Sequence, residues 1–440
     1  MMIRHYLRLS ESDKRRPVEL TGYAFISSII VLVAVLIISD LTKVSSSVST
    51  PLIGTLAFVI LGLGIVFIFT SIFKEKVAKL QIPAMTGQAR RLAFEIKRQM
   101  KPVWLVKLLN IERSPWGYPL PNIGVYVESD CSTGWVAIEN SPLFNSFDSE
   151  QALSDLSGLM STRRLRRLGF TSSEISRDGT YYIFYFEDVQ TSQRLQVVNG
   201  DLTPFVSDNP HELLLAKNLI WHVSGSTPHL AIIGHTRSGK SYFVAHFLLP
   251  LMLLQGWKVA FYSVKNDRYV QKFKGEYEPL KIIEALESWE KTMRMRNAKI
   301  RLAGKDKYTD MQSMPDIAIV IDEIASLNGA VASDRKLKQR WETVIGKLTA
   351  TGASAGIHVI ALSQYGTKES FLPTTARANV SDAVILLGMA ADSPSDRQYL
   401  LPGFDISHRE YQTGQGVARI VSAGNMWEKP HFYETPLFKN

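Results

Sequence analysis

A single cysteine, Cys131, stands in 440 residues. That scarcity excludes an internal disulfide framework and any zinc site built on thiolates. The expected state of Cys131 is a reduced, partly buried thiol. Acidic residues are the scarcer charge, 41 Asp and Glu against 50 Lys and Arg, for a formal net charge of +9. A surplus of this size permits contact with nucleic acid or anionic lipid without demonstrating either. The chain also lacks internal repeats and low-complexity tracts, which removes solenoids and disordered scaffolds from consideration.

What is present begins with two uncharged apolar stretches, Gly22 to Ser39 and Pro51 to Phe73. At helical rise the first covers about 27 Å and the second somewhat more, near the thickness of a bilayer's hydrocarbon layer. Joined by the short polar connection Asp40 to Thr50, they read as two transmembrane helices in a hairpin. Arg4, Arg8, Lys14, Arg15 and Arg16 precede the first stretch; Lys74, Lys76 and Lys79 follow the second, and only Lys43 lies between. The excess of basic residues at both outer ends places the N- and C-termini in the cytoplasm, in a multi-pass protein of the cell membrane.

Four regions follow: a cytoplasmic N-terminus (1–20), the transmembrane hairpin (21–80), a helical stalk with a small α+β module (81–205), and a P-loop NTPase domain (206–440). In the stalk, "RRLAFEIKRQMK" (Arg90 to Lys101) is basic and amphipathic. In the module, "IGVYVES" and "GWVAIEN" alternate as paired strands do. "SEQALSDLSGLMSTRRLRRLGF" reads as a helix and "GTYYIFYFEDV" as a further strand. The turn-rich "NGDLTPFVSDNP" (Asn199 to Pro210) marks the boundary with the last domain.

Gly234 to Ser241 reads G-H-T-R-S-G-K-S, a full G-x-x-x-x-G-K-[ST] match between an apolar strand ("HLAIIG") and an apolar helix ("SYFVAHFLLPLMLL"). The phosphate-binding residues are therefore Gly234, His235, Thr236, Arg237, Ser238, Gly239, Lys240 and Ser241. Glycines admit a close backbone approach, and the helix N-terminus offers unpaired N–H groups and positive dipole to an anion. Lys240 is expected at the β- and γ-phosphates of ATP, with the Ser241 hydroxyl on Mg²⁺. About eighty residues on, "DIAIVIDE" delivers Asp322 to a strand end as the second Mg²⁺ ligand and Glu323 beside it as the base for the attacking water. Gln364, ending "IHVIALSQ", would face the γ-phosphate if its strand neighbours the acidic one. The strands near "KVAFYS", "IHVIALS", "AVILLG" and "GVARIVS" suit a RecA-like, mainly parallel α/β sheet. A GTPase is disfavoured, since neither N-K-x-D nor a D-x-x-G after the acidic strand is present.

In "PHLAIIGHTRSGKSYF", "KVAFYSVKNDRYV", "AIVIDEIASL" and "TGASAGIHVIALSQ" the chain resembles the FtsK/HerA class of membrane-anchored DNA-pumping ATPases, over about Leu214 to Leu437. The two-span anchor and small module look most like the FtsK-type coupling proteins of conjugative elements. The resemblance implies a homo-hexamer with nucleotide at its subunit interfaces and double-stranded DNA in its channel, single-stranded DNA being the other candidate, with a relaxase and other transfer proteins as partners. The winged-helix module of chromosome-segregating relatives is not expected. One departure stands out. Ala353 occupies the place where such relatives carry an arginine that reaches the neighbour's nucleotide, leaving Lys347, Arg377 or Arg397 to replace it, or slow hydrolysis. Two other functions fit the same residues: an ATPase driving protein secretion, and a nucleotide-gated membrane adaptor with little turnover. The basic stretches "RMRNAKIRLAGKDKY" and "DRKLKQR" are candidate DNA contacts.

Overall fold

The computed structural model describes residues 11–42, 46–72, 82–113, 118, 120–140, 148–160, 165–192, 194–424 and 426–439. It divides into two compact units, Met1–Arg166 with Ser173–Phe186, and Arg167–Ser172 with Glu187–Asn440. Arg4, Arg8, Lys43, Lys74, Lys76 and Lys79, on which the membrane orientation rests, lie outside the described residues, as does Phe73 at the end of the second apolar stretch.

In the first unit, helices α1 (Glu11–Thr42) and α2 (Ser46–Ile72) pack together, with the Phe25 and Phe67 rings stacked at 6.4 Å. Their outward side chains are apolar and exposed, among them Tyr23, Ile30, Phe58 and Leu61. Within α1, Thr21–Ser39 is long and apolar enough to cross a membrane. The apolar part of α2, Ile53–Phe69, is shorter, about 26 Å against the roughly 30 Å of a hydrocarbon core. One helix among the described residues therefore meets the length of a span, where the sequence reading expected two.

Helix α3 (Gly87–Gln99) starts where the Thr86 hydroxyl accepts from Ala89 N at 3.4 Å, and buries Ala89, Ala93 and Ile96 on one face. A short helix α4 (Pro102–Leu108) follows. Strands β1 (Ile123–Val127) and β2 (Thr133–Glu139) pair antiparallel with Val125 opposite Val136. Beyond helix α5 (Ser149–Leu159) come β3 (Leu168–Ile175) and β4 (Tyr181–Asp188), and β4 lies between β2 and β3. The helix expected from Ser149 through Phe170 thus ends at Leu159, and "LGFTSSEI" is a strand. Its β-branched and small polar residues suit a buried pleat, and six of its eight residues are buried. Arg163 and Arg164 lie outside the described residues.

The second unit is built on a seven-stranded sheet. Its members are β8 (Leu230–Gly234), β9 (Lys258–Ser263), β10 (Ile317–Asp322), β11 (Ile357–Ser363), β12 (Ala383–Leu387), β14 (Gln415–Ile420) and β15 (His431–Glu434), in the order β15-β14-β12-β8-β11-β10-β9. Smaller pieces accompany it: β5 (Gln196–Val198) with β16 (Leu437–Lys439), and the hairpin β6 (Glu212–Ala216) and β7 (Leu219–His222), while the short β13 (Asp405–Ile406) pairs with β3. Every residue of β8, β10 and β11 is buried, as expected for parallel strands covered on both faces. Alternate side chains enter two separate cores. Ile232, Val320 and Ile360 pack with Phe243, Phe247 and Leu248 of helix α6 (Lys240–Leu254). Ile233, Ile319 and Val359 face the opposite core, with Leu286 of α8 (Pro279–Leu302), Leu327 of α9 (Ile324–Val331) and Trp341 of α10 (Arg335–Thr351). A five-residue helix α7 (Arg268–Lys272) follows β9, and α11 (Thr374–Val380) precedes β12.

The five strands from β12 to β9 are parallel, but β14 runs antiparallel to β12, with Ile385 opposite Ala418. The strand expected at "GVARIVS" therefore forms with the opposite direction. The chain leaves β12 at Leu387 and re-enters at the same end of the sheet, where Gly388 N donates to Gln415 O at 2.8 Å. No helix carries it back across, so the strand must return reversed.

Some residues of the basic stretches are engaged within the chain. Arg340 donates twice to Glu287 at 2.8 and 2.9 Å, Arg294 pairs with Glu290, and Arg296 donates to the carbonyls of Pro315 and Gly356. At the start of β10 a buried polar cluster forms around Asp316. One carboxylate oxygen lies 2.8 Å from His358 Nε2 and accepts from the Tyr308 hydroxyl, while the other lies 2.8 Å from His211 Nδ1. Burial works to raise the Asp316 pKa, but the His358 and Tyr308 hydrogen bonds overcome it and hold the carboxyl below its ordinary value.

Candidate functional site

The loop from Gly234 to Lys240 joins the buried end of β8 to the first turn of α6. A β-carbon on Gly234 would collide with the Ser238 hydroxyl. Gly239 adopts φ 91°, a left-handed conformation open to glycine at little cost. The loop is braced from outside: Gly414 N donates to Ser238 O at 2.9 Å, and Thr413 Oγ1 to Arg237 O at 3.3 Å. Its residues Gly234 through Ser241 line a cleft of about 210 Å³, together with Tyr242, Lys265, Glu323 and Gln364.

Parallel pairing sets the remaining groups around that cleft. β10 lies between β9 and β11, so the ends of all three strands emerge side by side. Asp322 ends β10 and is buried; its Oδ1 stands 3.8 Å from Lys240 Nζ and accepts from Glu323 N at 2.9 Å. Burial pushes the Lys240 ammonium below its ordinary range, against the pull of Asp322 and Glu323. Burial also raises the Asp322 carboxyl, which Lys240 opposes. Lys240 Nζ and Ser238 Oγ are buried without a hydrogen-bond partner. An ammonium and a hydroxyl left unsatisfied beside a backbone cradle are suited to an anion that would pair with both.

Glu323 occupies the left-handed region at φ 56° and is 5% exposed. Its carboxylate is held from two sides: Gln364 Nε2 donates to Oε2 at 3.0 Å, and Lys265 Nζ lies 3.9 Å from Oε1. Gln364 Oε1 in turn accepts from Thr236 Oγ1 at 3.4 Å. The strand adjacency on which the reading of Gln364 depended is present. His235 Nε2 lies 3.0 Å from Asp396 Oδ2 at the loop's entrance.

Lys265 and Tyr242 were not singled out from sequence. Lys265 sits inside "KVAFYSVKNDRYV", but only the order β9-β10 brings it to Glu323. Ala353 begins a short 3₁₀ turn, and each candidate substitute for an arginine there has a partner within its own chain. Lys347 pairs with Glu290 at 3.4 Å, Arg397 donates to Ile406 O at 2.8 Å, and buried Arg377 lies over the Tyr399 ring at 4.9 Å.

No protein-family model matches the chain. Over 250 residues it is 27% identical to a Treponema pallidum (strain Nichols) protein named DNA translocase FtsK, covering 48% of this chain and 30% of that one. The chain thus spans less than a third of that relative's length. Among solved structures, the ATPγS-bound monomer of the pCW3 conjugation coupling protein TcpA shares the fold at TM-score 0.50 and 13% identity, over 79% of this chain and 96% of that one. The chain is thus similar in sequence to an FtsK translocase over about half its length, shares a fold with a coupling protein, and carries a G-x-x-x-x-G-K-[ST] loop that lines a cleft.

Proposed function

We propose that the protein is a membrane-anchored, ATP-driven DNA translocase that acts as a coupling protein in conjugative DNA transfer. The observation that carries the reading is the placement of Lys240 Nζ 3.8 Å from Asp322, beside a Glu323 held by Gln364. Backbone N–H groups of Gly234 to Ser241 hold the phosphates, and Lys240 spans the β- and γ-positions. The Ser241 hydroxyl and the Asp322 carboxylate are hard oxygen donors of the kind Mg²⁺ takes alongside phosphate oxygens. When bound, the ion neutralises charge on the phosphates. Glu323 orients the attacking water and accepts its proton, and Gln364 fixes the carboxylate's direction.

The anchor in this reading is the α1–α2 hairpin, the shorter apolar part of α2 lying at the lower limit for a span, with both ends on the cytoplasmic side and the motor assembled as a homo-hexamer around duplex DNA. A relaxase would deliver the strand to be moved. DNA held mainly by its phosphates is bound with little sequence preference and strong salt dependence. Full-length protein in nanodiscs is expected to lose duplex affinity by about a thousandfold or more between ~50 and ~200 mM salt. Absent or salt-indifferent duplex binding would remove DNA as the cargo. A nucleotide-gated adaptor with little turnover is the competing reading, favoured by Ala353 and the internal engagement of Lys347 and Arg397; it predicts ATP binding without steady-state hydrolysis.

A further inference from the structure

Tyr242 lies one residue beyond Ser241 and lines the same cleft as the phosphate loop, yet it is 46% exposed. A large aromatic residue left open in a polar cleft is not explained by packing alone. Its ring is nonetheless fixed from behind. His246, one helical turn on, stacks under it at 4.4 Å with planes 25° apart, and Phe438 of β16 meets its edge at 5.3 Å, nearly perpendicular. Phe438 also touches His246, as does Tyr269, so the imidazole is clamped between rings.

The backbone beneath departs from α geometry. Val244–Leu248 is a π-helical turn, a local widening found often at functional sites. Lys272 Nζ donates to Ala245 O at 2.9 Å within that turn. The widened turn carries His246, and His246 Nε2 is buried without a hydrogen-bond partner. Through Nε2 the histidine makes no polar contact, and what it offers Tyr242 is its ring face. Glu323, the acidic residue lining the cleft, is held by Gln364, which bonds Thr236 in the first half of the loop. Tyr242 follows its second half, beyond Lys240.

We propose that Tyr242, backed by His246 and Phe438, is the stacking platform for the base of the nucleotide whose phosphates occupy the loop. This deepens the proposed ATPase site and rests on it. Stacking reads the π-face that every base carries, so the platform adds affinity while discriminating little between adenine and guanine.

The test is calorimetric titration of the full chain and its Tyr242→Ala variant with ATP, GTP and inorganic tripolyphosphate, each with Mg²⁺. Tyr242→Ala is expected to weaken ATP and GTP alike by about five- to a hundredfold, leave tripolyphosphate within about twofold, and regain ATP affinity as Tyr242→Phe. ATP binding unchanged in Tyr242→Ala would overturn the platform. Equal loss for ATP and tripolyphosphate would overturn it too, by showing a distorted loop. If the parent chain binds neither ATP nor tripolyphosphate, the nucleotide site itself falls and the platform with it; tripolyphosphate binding without gain from a base sinks the platform alone.

Discussion

Glu323→Gln separates chemistry from binding and from folding. The carboxylate is 5% exposed and has two partners, Gln364 Nε2 at 3.0 Å and Lys265 Nζ at 3.9 Å. A glutamine keeps the shape and still offers Gln364 an accepting oxygen, so that hydrogen bond survives. The ion pair is lost, but the Lys265 side chain is 62% exposed, and such a pair contributes under about 1 kcal/mol. Phosphate contacts are untouched, so ATP affinity should stay within a few-fold. Losing the base should lower kcat by about 10²–10⁴, or roughly 3–5 kcal/mol of barrier. Steady-state phosphate release and equilibrium ATP binding, measured on the same preparation, test both halves. Turnover within threefold of the parent would refute the role of Glu323. Lost ATP binding would show that the carboxylate serves the ground state.

Other expectations follow from neighbouring groups. Gly234→Ala drives a methyl into Ser238 and should weaken ATP at least tenfold, with urea unfolding shifted by no more than about 2 kcal/mol, since the collision is confined to the loop. Asp316→Asn should cost about 3–5 kcal/mol at pH 7 by breaking a buried, hydrogen-bonded pair far along β10 from the nucleotide. The folded-state pKa of Asp316 lies below its unfolded value. Its contribution is therefore complete above about pH 4 and is lost as pH falls through the folded value. Urea midpoints of parent and variant should converge at acid pH, and a gap independent of pH would contradict the assignment.

The parts legible in sequence were those written contiguously. The G-x-x-x-x-G-K-[ST] loop and "DIAIVIDE" each place their candidate site residues within eight positions, bounded by apolar runs that leave little choice of element. Groups that depend on strand order were not legible. Lys265 reaches Glu323 because β9 and β10 are neighbours, and Asp316 meets His211 and His358 from three separated segments. Direction was equally hidden in "GVARIVS", where an apolar strand reads the same parallel or antiparallel and only the returning loop decides. "LGFTSSEI" was lost because an arginine-rich stretch continued the helical pattern of α5 into it. The π-turn under Tyr242 has no compositional signature, since "VAHFL" fits any helix.

The most direct measurement is the ATPase rate of the full-length protein in lipid nanodiscs, with and without duplex DNA, alongside Lys240→Ala. Turnover should rise severalfold on adding DNA and disappear in the variant. A rate indifferent to duplex, or one that persists without Lys240, would contradict a DNA-driven motor built on this loop.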